Sequence, residues 1–163
     1  MKYPIAVLTE IAVLAMLCLF AQDPNPLNGT WKLNVAKSKY SPAELTPKSG
    51  VTKFEVTQDT IKAVVDGVDN QGRATHAEYT AKFDGKDYPW KGTIDGKPNL
   101  SQDTTSWKRI DNYTYESSAK LKGQVLTTQR TVVARDGKTR TNTVTGKNAQ
   151  GQIVNATVVY EKQ

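Results

Sequence analysis

The chain is dominated by short segments in which apolar and polar residues alternate. From residue 51 onward these segments recur roughly every 8–12 residues, the spacing typical of all-β domains. Turn signals separate them, including Asp66-Gly67, Asp84-Gly85 and Asp136-Gly137, which are preferred in tight hairpins. No segment carries the 3.6-residue spacing of a long amphipathic helix. The sequence therefore predicts an all-β domain of about nine antiparallel strands.

The first and last segments predict how this sheet ends. Segment 28–35 is a turn followed by a strand whose apolar face begins with Trp31, and segment 153–161 has Val158 on its apolar face. Consecutive antiparallel strands leave two open edges unless the last strand pairs with the first. We therefore predict an up-and-down barrel of about 8–10 strands, closed by Trp31 and Val158. A two-sheet sandwich is the alternative, although its crossings usually need longer connections.

Two stretches interrupt the alternation. Residues 35–50 contain Pro42 and Pro47, so we expect a loop with at most one helical turn, lying across one mouth of the barrel as a candidate lid. Residues 88–99 contain Pro89 and a second proline, which weakens strand pairing. We therefore expect these two stretches to be the irregular parts of the domain.

The N-terminus predicts export. Residues 1–21 combine a basic start at Lys2 with an apolar run that ends at Ala21, the pattern of a signal peptide. The run is short for a membrane span, so no stable span is expected after processing, and an uncleaved anchor is the alternative. We predict a signal peptide at 1–21, a short linker at 22–28 and a barrel domain at 29–163, in a secreted or periplasmic protein.

Cys18 is the only cysteine of the chain. Lipidation at Cys18 is a further alternative, but Leu17 precedes it where a lipoprotein signal needs a small residue. Cleavage after Ala21 would leave a domain without cysteine. Such a domain has no disulfide, no thiol nucleophile and no cysteine-ligated zinc.

The net charge is +6 and stays so once Lys2 and Glu10 are removed with the signal. A basic surface attracts anions and nucleic acid, but the lysines and arginines are scattered and no nucleic-acid motif accompanies them. We therefore interpret the charge as a solvated exterior. No nucleic-acid partner is expected, and the domain is expected to be a monomer.

Residues that could support catalysis are sparse. His76 is the only histidine, and alternation places it on the face opposite the apolar one, without a nucleophile motif. Metal-ligand spacing and a phosphate-binding glycine loop are both missing from the sequence. The sequence therefore predicts no enzyme, no metal and no cofactor.

Three short motifs resemble the calycin group, which comprises lipocalins and fatty-acid-binding proteins. The segment 29–33, Gly-Thr-Trp-Lys-Leu, is similar to the opening Gly-x-Trp strand of both families, and the ending 159–162 resembles the last strand of fatty-acid-binding proteins. The hairpin 130–139 is similar to their penultimate hairpins. The resemblance implies a lipocalin-like barrel that buries a small, mostly apolar ligand, and it implies no chemistry.

The chain also departs from these families. Fatty-acid-binding proteins carry an arginine, which helps to hold a carboxylate, where this chain has Val158. Their pair of lid helices has no clear counterpart here. In lipocalins an arginine often packs over the Gly-x-Trp tryptophan, a role that Arg130 or Arg140 could fill. Spacing alone does not choose between the two.

Candidate ligand-binding residues are those that combine an apolar body with a polar tip or supply an interior cation. Trp107 and Trp90 could line a pocket mouth, and Trp31 could offer a stacking surface instead of a plug. The arginines need a ligand carboxylate, an acidic neighbour or water if they face inward, and an outward arginine is the alternative for each. The predicted ligand-binding set is Tyr79, Trp107, Arg109, Tyr115, Arg130 and Tyr160. Aromatic residues that merely fill a small barrel are the competing interpretation.

These expectations favour an exported, non-catalytic carrier of a small hydrophobic or amphipathic ligand. The alternative is a cell-envelope interaction module with a filled barrel or sandwich, which binds protein or polysaccharide through its outer face.

Overall fold

The computed structural model describes residues 25–163, and the predicted signal peptide lies outside this range. Strands account for most of it, and one 3-10 turn spans Ala43–Leu45. Within this range, no helix is long and apolar enough to cross a membrane. The eleven strands are β1 (Gly29–Ser41), β2 (Ser49–Val56), β3 (Thr60–Val68), β4 (Ala74–Lys82), β5 (Tyr88–Ile94), β6 (Lys97–Pro98), β7 (Thr104–Arg109), β8 (Thr114–Leu121), β9 (Gln124–Val133), β10 (Thr139–Lys147) and β11 (Ile153–Lys162).

The strands form one closed antiparallel ring. Each strand pairs with its neighbour in sequence, except that β5 continues the ring to β7, while the two-residue β6 pairs only with β5. Pairing of β1 with β11 closes the ring, with Leu33 opposite Tyr160. Ten strands therefore enclose an interior, and the predicted up-and-down barrel is confirmed. Closure also removes the sheet edges that an open meander would expose.

The first strand is longer than predicted. It runs to Ser41 across an irregularity between Asn34 and Lys39 in its pairing with β11. Ser38 holds this irregularity, because its hydroxyl donates to the Asn34 carbonyl at 2.7 Å and accepts from the Val159 amide at 2.9 Å. The loop predicted over residues 35–50 is therefore confined to its second half. The single helical turn expected there is present.

The irregular stretch predicted at residues 88–99 is also mainly strand. Pro89 is the second residue of β5 and stands opposite Thr104 of β7. Its missing N–H is tolerated because β5 pairs with β7 at only two positions before turning to β6. The prediction was wrong because a proline near a strand end costs fewer ladder bonds than one in its centre.

One end of the barrel is sealed by the chain that precedes β1. Leu27 is fully buried in the core cluster, and its carbonyl accepts a 2.8 Å hydrogen bond from Trp31 Nε1. The Tyr115 hydroxyl donates to Asn25 Oδ1 at 2.9 Å. The described part of the segment predicted as a linker, residues 25–28, thus contributes Leu27 to the core. We refer to this sealed end as the closed end.

Gly146 lies on β10 where this strand closely approaches β9, and replacing it tests that close approach. Its φ is +142°, and an added Cβ would overlap the Leu126 carbonyl oxygen and lie 2.8 Å from Thr127 Cα. We expect Gly146→Ala to lower the free energy of unfolding by roughly 1–3 kcal/mol, the cost of a strained backbone position. Denaturant unfolding measures this. Gly50→Ala is the matched control, since its Cβ would make only ordinary contacts with Leu33; equal losses in both variants would contradict the argument.

Candidate ligand site inside the barrel

The interior changes from sealed to open along the barrel axis. Near the closed end, inward side chains such as Trp31, Ile61 and Val133 are at most 2% exposed. Toward the opposite end, Val65 and Val144 also point inward but remain partly exposed. Partial exposure of an inward side chain means that solvent reaches the interior from this side. We refer to this as the open end.

The loop that follows β1 lies at the open end, as expected for the candidate lid. The Asn70 amide donates to the Glu44 carbonyl at 2.6 Å, which ties this loop to the turn between β3 and β4. Gln152 Nε2 lies 3.4 Å from Glu44 Oε1, from the turn between β10 and β11. The loop is therefore fastened to two hairpins at the rim.

Two of the predicted ligand-binding residues meet inside the barrel. Tyr79 of β4 stacks on Trp107 of β7, with ring centroids 5.9 Å apart and an interplanar angle of 23°. Phe54 packs edge-on against Trp107, with the two ring centroids 6.1 Å apart. Burial raises the pKa of the Tyr79 phenol, so its hydroxyl remains a protonated donor.

Trp90 lies on the inner face of β5, beside Tyr79 in the ladder. Its indole covers Gly92, where an added methyl group would overlap the ring. The side chain remains partly exposed. Of the two tryptophans considered for a pocket mouth, Trp90 is the one toward the open end, whereas Trp107 is buried deeper in the barrel.

The interior cation is Arg140, which is 2% exposed. Its guanidinium carbon lies 3.9 Å from the Tyr160 ring centroid, 4.9 Å from that of Phe54 and 5.6 Å from that of Trp31. Of the two arginines considered for the position over Trp31, the structure therefore selects Arg140. Val158 and Tyr160 lie inward on the neighbouring strand, where Val158 is 5% exposed.

The electrostatics of Arg140 are unusual. Burial lowers its pKa to about 10, so the side chain is still charged at neutral pH. Its Nε and Nη2 atoms are buried without a hydrogen-bond partner, and it has no salt bridge to any carboxylate in residues 25–163. The aromatic faces offset part of the desolvation cost, by roughly 0.5–2 kcal/mol each. The N–H groups themselves remain free to donate.

Besides Arg109 Nε at the closed end, two further buried polar atoms lack partners in the described part of the chain. Trp107 Nε1 is a buried donor and Asn142 Oδ1 is a buried acceptor, and neither makes a hydrogen bond in the described part of the chain. Native proteins leave few such atoms unpaired. A bound molecule with acceptors and donors would satisfy them.

Arg109 and Tyr115 were predicted as ligand-binding residues but face the closed end. Arg109 Nη2 donates to the Thr57 carbonyl at 2.8 Å, and its guanidinium carbon lies 4.5 Å from the Phe83 ring centroid. Tyr115 is fully buried, and its hydroxyl is occupied by Asn25. Both residues stabilise the seal and lie away from the open interior. Arg109 therefore faces inward, as considered for an interior cation, but it does so at the closed end. Its assignment as a ligand-binding residue stays a prediction.

Arg130 lies on the outer face of β9, so its assignment to the interior was wrong. It forms a 2.9 Å ion pair with Glu116, and both side chains are about half exposed. The pair borders a shallow outer groove of about 410 Å³, lined also by Ser106, Ser118 and Thr128. Arg130 cannot reach an interior ligand from this position.

A set of inward polar residues on β8, β9 and β10 is absent from the predicted ligand-binding set. The strand pairing places Ser117 opposite Gln129, and Thr131 opposite Asn142. Thr131 is fully buried, whereas Ser117 and Gln129 are partly exposed. We name Ser117, Gln129, Thr131 and Asn142 the polar stripe. These residues could have been found only from the pairing register, because their strands carry polar residues on both faces.

His76 lies on the outer face of β4. Its Nδ1 is 2.7 Å from Asp66 Oδ1 and its Nε2 is 3.1 Å from Glu78 Oε1. Within residues 25–163, no group of three histidine, cysteine or acidic side chains is arranged to hold a metal ion. The histidine therefore sits between two solvated carboxylates and is remote from the interior.

We expect His76 to titrate above its ordinary range. The hydrogen bond to Asp66 is the main cause that raises its pKa, with a smaller contribution from Glu78. A raised folded-state pKa stabilises the fold below the unfolded pKa, and this contribution disappears as the pH rises through the folded pKa. An NMR titration of the single histidine measures the pKa directly. Asp66→Asn should lower it and Glu116→Gln should not; an unchanged pKa in Asp66→Asn would contradict the assignment.

Neither a family model nor a curated protein matches the chain. Among solved structures, the chain is similar to a redesigned β-barrel, mFAP1, bound to DFHBI, with a TM-score of 0.46 and 14% identity over 84% of this chain and 95% of that chain. It is also similar to the redesigned β-barrel mFAP0 bound to DFHBI, with a TM-score of 0.45 and 14% identity over 84% of this chain and 99% of that chain. The closed ring described above is established by the strand pairing of this chain.

Proposed function

We propose that this protein is an exported, calycin-like barrel that binds a small amphipathic molecule in its interior and carries it without transforming it. The observation that carries the proposal is Arg140, a buried guanidinium with two nitrogen atoms that have no partner within residues 25–163. Export is supported by the residue pattern of 1–21, and the calycin relationship by the three short motifs.

A buried charge is costly unless it is paired or hydrogen-bonded. Arg140 has aromatic neighbours but no carboxylate among the described residues. A carboxylate or similar anionic head group would accept charge-assisted hydrogen bonds from the free N–H groups. Tyr79 lies on β4, half a ring from Arg140, and supplies a further hydroxyl donor inside the barrel. The polar end of the ligand is therefore placed beside Arg140.

The apolar part of the ligand would extend toward the open end. Inward Val65, Trp90 and Val144 are partly exposed there, so apolar contact surface is available. Burying apolar surface contributes about 25 cal/mol per Å². The only histidine lies outside the barrel, which is why we propose carriage without a chemical step.

A second candidate is the envelope interaction module, in which the outer face binds protein or polysaccharide. It is favoured by the outer groove beside Arg130, which is lined by hydroxyl and charged side chains. In that case Arg140 would serve only to pack over Trp31, and the interior would bind nothing.

Native mass spectrometry and dye displacement test the proposal. We expect a bound species of low mass to disappear after solvent extraction, and the extracted protein to bind a neutral environment-sensitive hydrophobic dye. Laurate should displace this dye at lower concentration than dodecanol, because only laurate presents a carboxylate to Arg140. Failure of the extracted protein to bind the dye, laurate or dodecanol would overturn the carrier proposal and favour the outer-face module.

A further inference from the structure

The interior has two chemically different walls. The polar stripe lies on β8, β9 and β10, in two cross-strand pairs that begin next to Arg140 on β10. Half a ring away, the inward residues of β2, β3 and β4 are mostly apolar, among them Phe54, Ile61, Ala63 and Ala77. Polarity in this interior therefore changes from side to side as well as from end to end.

The stripe extends from the buried floor toward the open end. Asn142 is 5% exposed and Thr131 is fully buried, while Ser117 and Gln129 are partly exposed. Gln129 Nε2 donates to Thr131 Oγ1 at 3.1 Å, but Asn142 Oδ1 is buried and has no hydrogen-bond partner among the described residues. A buried acceptor without a partner among the described residues thus lies deep in the wall, two residues from Arg140 on the same face of β10.

A ligand with a single polar end would leave this wall unsatisfied. The carboxylate of a straight-chain acid can pair with Arg140, but its hydrocarbon chain would then cover Asn142 and offer it no hydrogen bond. An unpaired buried acceptor is unfavourable, whereas a donor supplied by the ligand would satisfy it. A molecule with hydroxyl or N–H groups along one side matches both walls.

We infer that the ligand is a facially amphipathic acid, with an anionic end at Arg140, donor groups along the polar stripe and an apolar face against β2, β3 and β4. This inference rests on the proposed function. It specifies the class of ligand from the wall that contains Asn142. The proposed function requires only an anionic end, and the inference adds donor groups along one side of the ligand.

Asn142→Leu tests the inference with two probes, cholate and laurate. Cholate carries a carboxylate and hydroxyl groups on one face, whereas laurate carries only the carboxylate. We expect the variant to bind cholate about five- to tenfold more weakly and laurate within about twofold of the unmodified protein. Its melting temperature should be unchanged or higher, because an unpaired buried polar atom is removed. Displacement of the neutral dye and thermal unfolding provide the measurements.

Ser117→Ala is the second variant, because Ser117 is partly exposed and its loss leaves the core intact. It should weaken cholate binding by about twofold to fivefold and leave laurate unaffected. Thr143→Ala, which alters the outward residue next to Asn142, should affect neither probe. The inference would be overturned if the variants changed the affinities for cholate and laurate equally, or left the affinity for cholate unchanged. In that case, binding of the dye and laurate would still support the carrier proposal. Loss of all binding in the unmodified protein would overturn both.

Discussion

Replacing Trp31 with alanine should lower the free energy of unfolding by about 3–5 kcal/mol, the usual cost of removing a fully buried large ring. Trp31 is 0% exposed, donates from Nε1 to the Leu27 carbonyl at 2.8 Å and packs beneath Arg140. The substitution would therefore leave a cavity, free the segment that seals the closed end and expose a buried charge to a void.

Thermal and denaturant unfolding measure this loss. For a domain of this size the melting temperature should fall by roughly 10–15 °C. Trp90→Ala is the matched control, since Trp90 is partly exposed near the open end and its removal should cost only roughly 1–2 kcal/mol. A melting temperature in Trp31→Ala no lower than in Trp90→Ala would show that Trp31 does not plug the barrel.

Replacing Arg140 with leucine should separate ligand recognition from stability. We expect the affinity for laurate to fall by about tenfold to hundredfold, since charge-assisted hydrogen bonds to the carboxylate are lost. The affinity for dodecanol should change by less than about threefold. The free energy of unfolding of the empty protein should change little or increase, because removal of a buried, unpaired charge offsets the lost aromatic contacts.

Two other arginines serve as controls for this substitution. Arg130→Leu alters an exposed ion pair on the outer face, and Arg109→Leu alters a contact with the Thr57 carbonyl at the closed end. Neither should change the preference for laurate over dodecanol. If Arg140→Leu weakens laurate and dodecanol equally, or if Arg130→Leu alone weakens laurate, Arg140 does not hold the carboxylate.

Apolar alternation was sufficient to place several side chains. Tyr79 shares one face of β4 with Ala77 and Ala81, so its inward direction followed from the sequence, and it is found in the interior. Trp31 and Val158 were likewise correctly assigned to the strands that close the ring. In each case one face of the strand is clearly apolar, and burial of that face fixes the register.

The same reasoning failed on β9 and β10. Thr, Gln, Arg and Asn occupy both faces of these strands, so hydrophobic alternation could not show which residues point inward. A shift of one residue in the assumed strand register exchanges the inward and outward faces. Arg130 therefore competed with Arg140 for the position over Trp31, and the pairing of Arg140 with Val133 and Tyr160 decided it.

The sequence by itself determined most of the strands and turns and the closure of the ring, because these depend on local alternation and turn chemistry between neighbouring segments. Only the tertiary structure decided which arginine is buried, which end is sealed and where the polar stripe faces the apolar wall. Those features depend on register and on contacts between residues far apart in the chain, such as Asn25 with Tyr115 and Arg140 with Phe54, which no local pattern specifies.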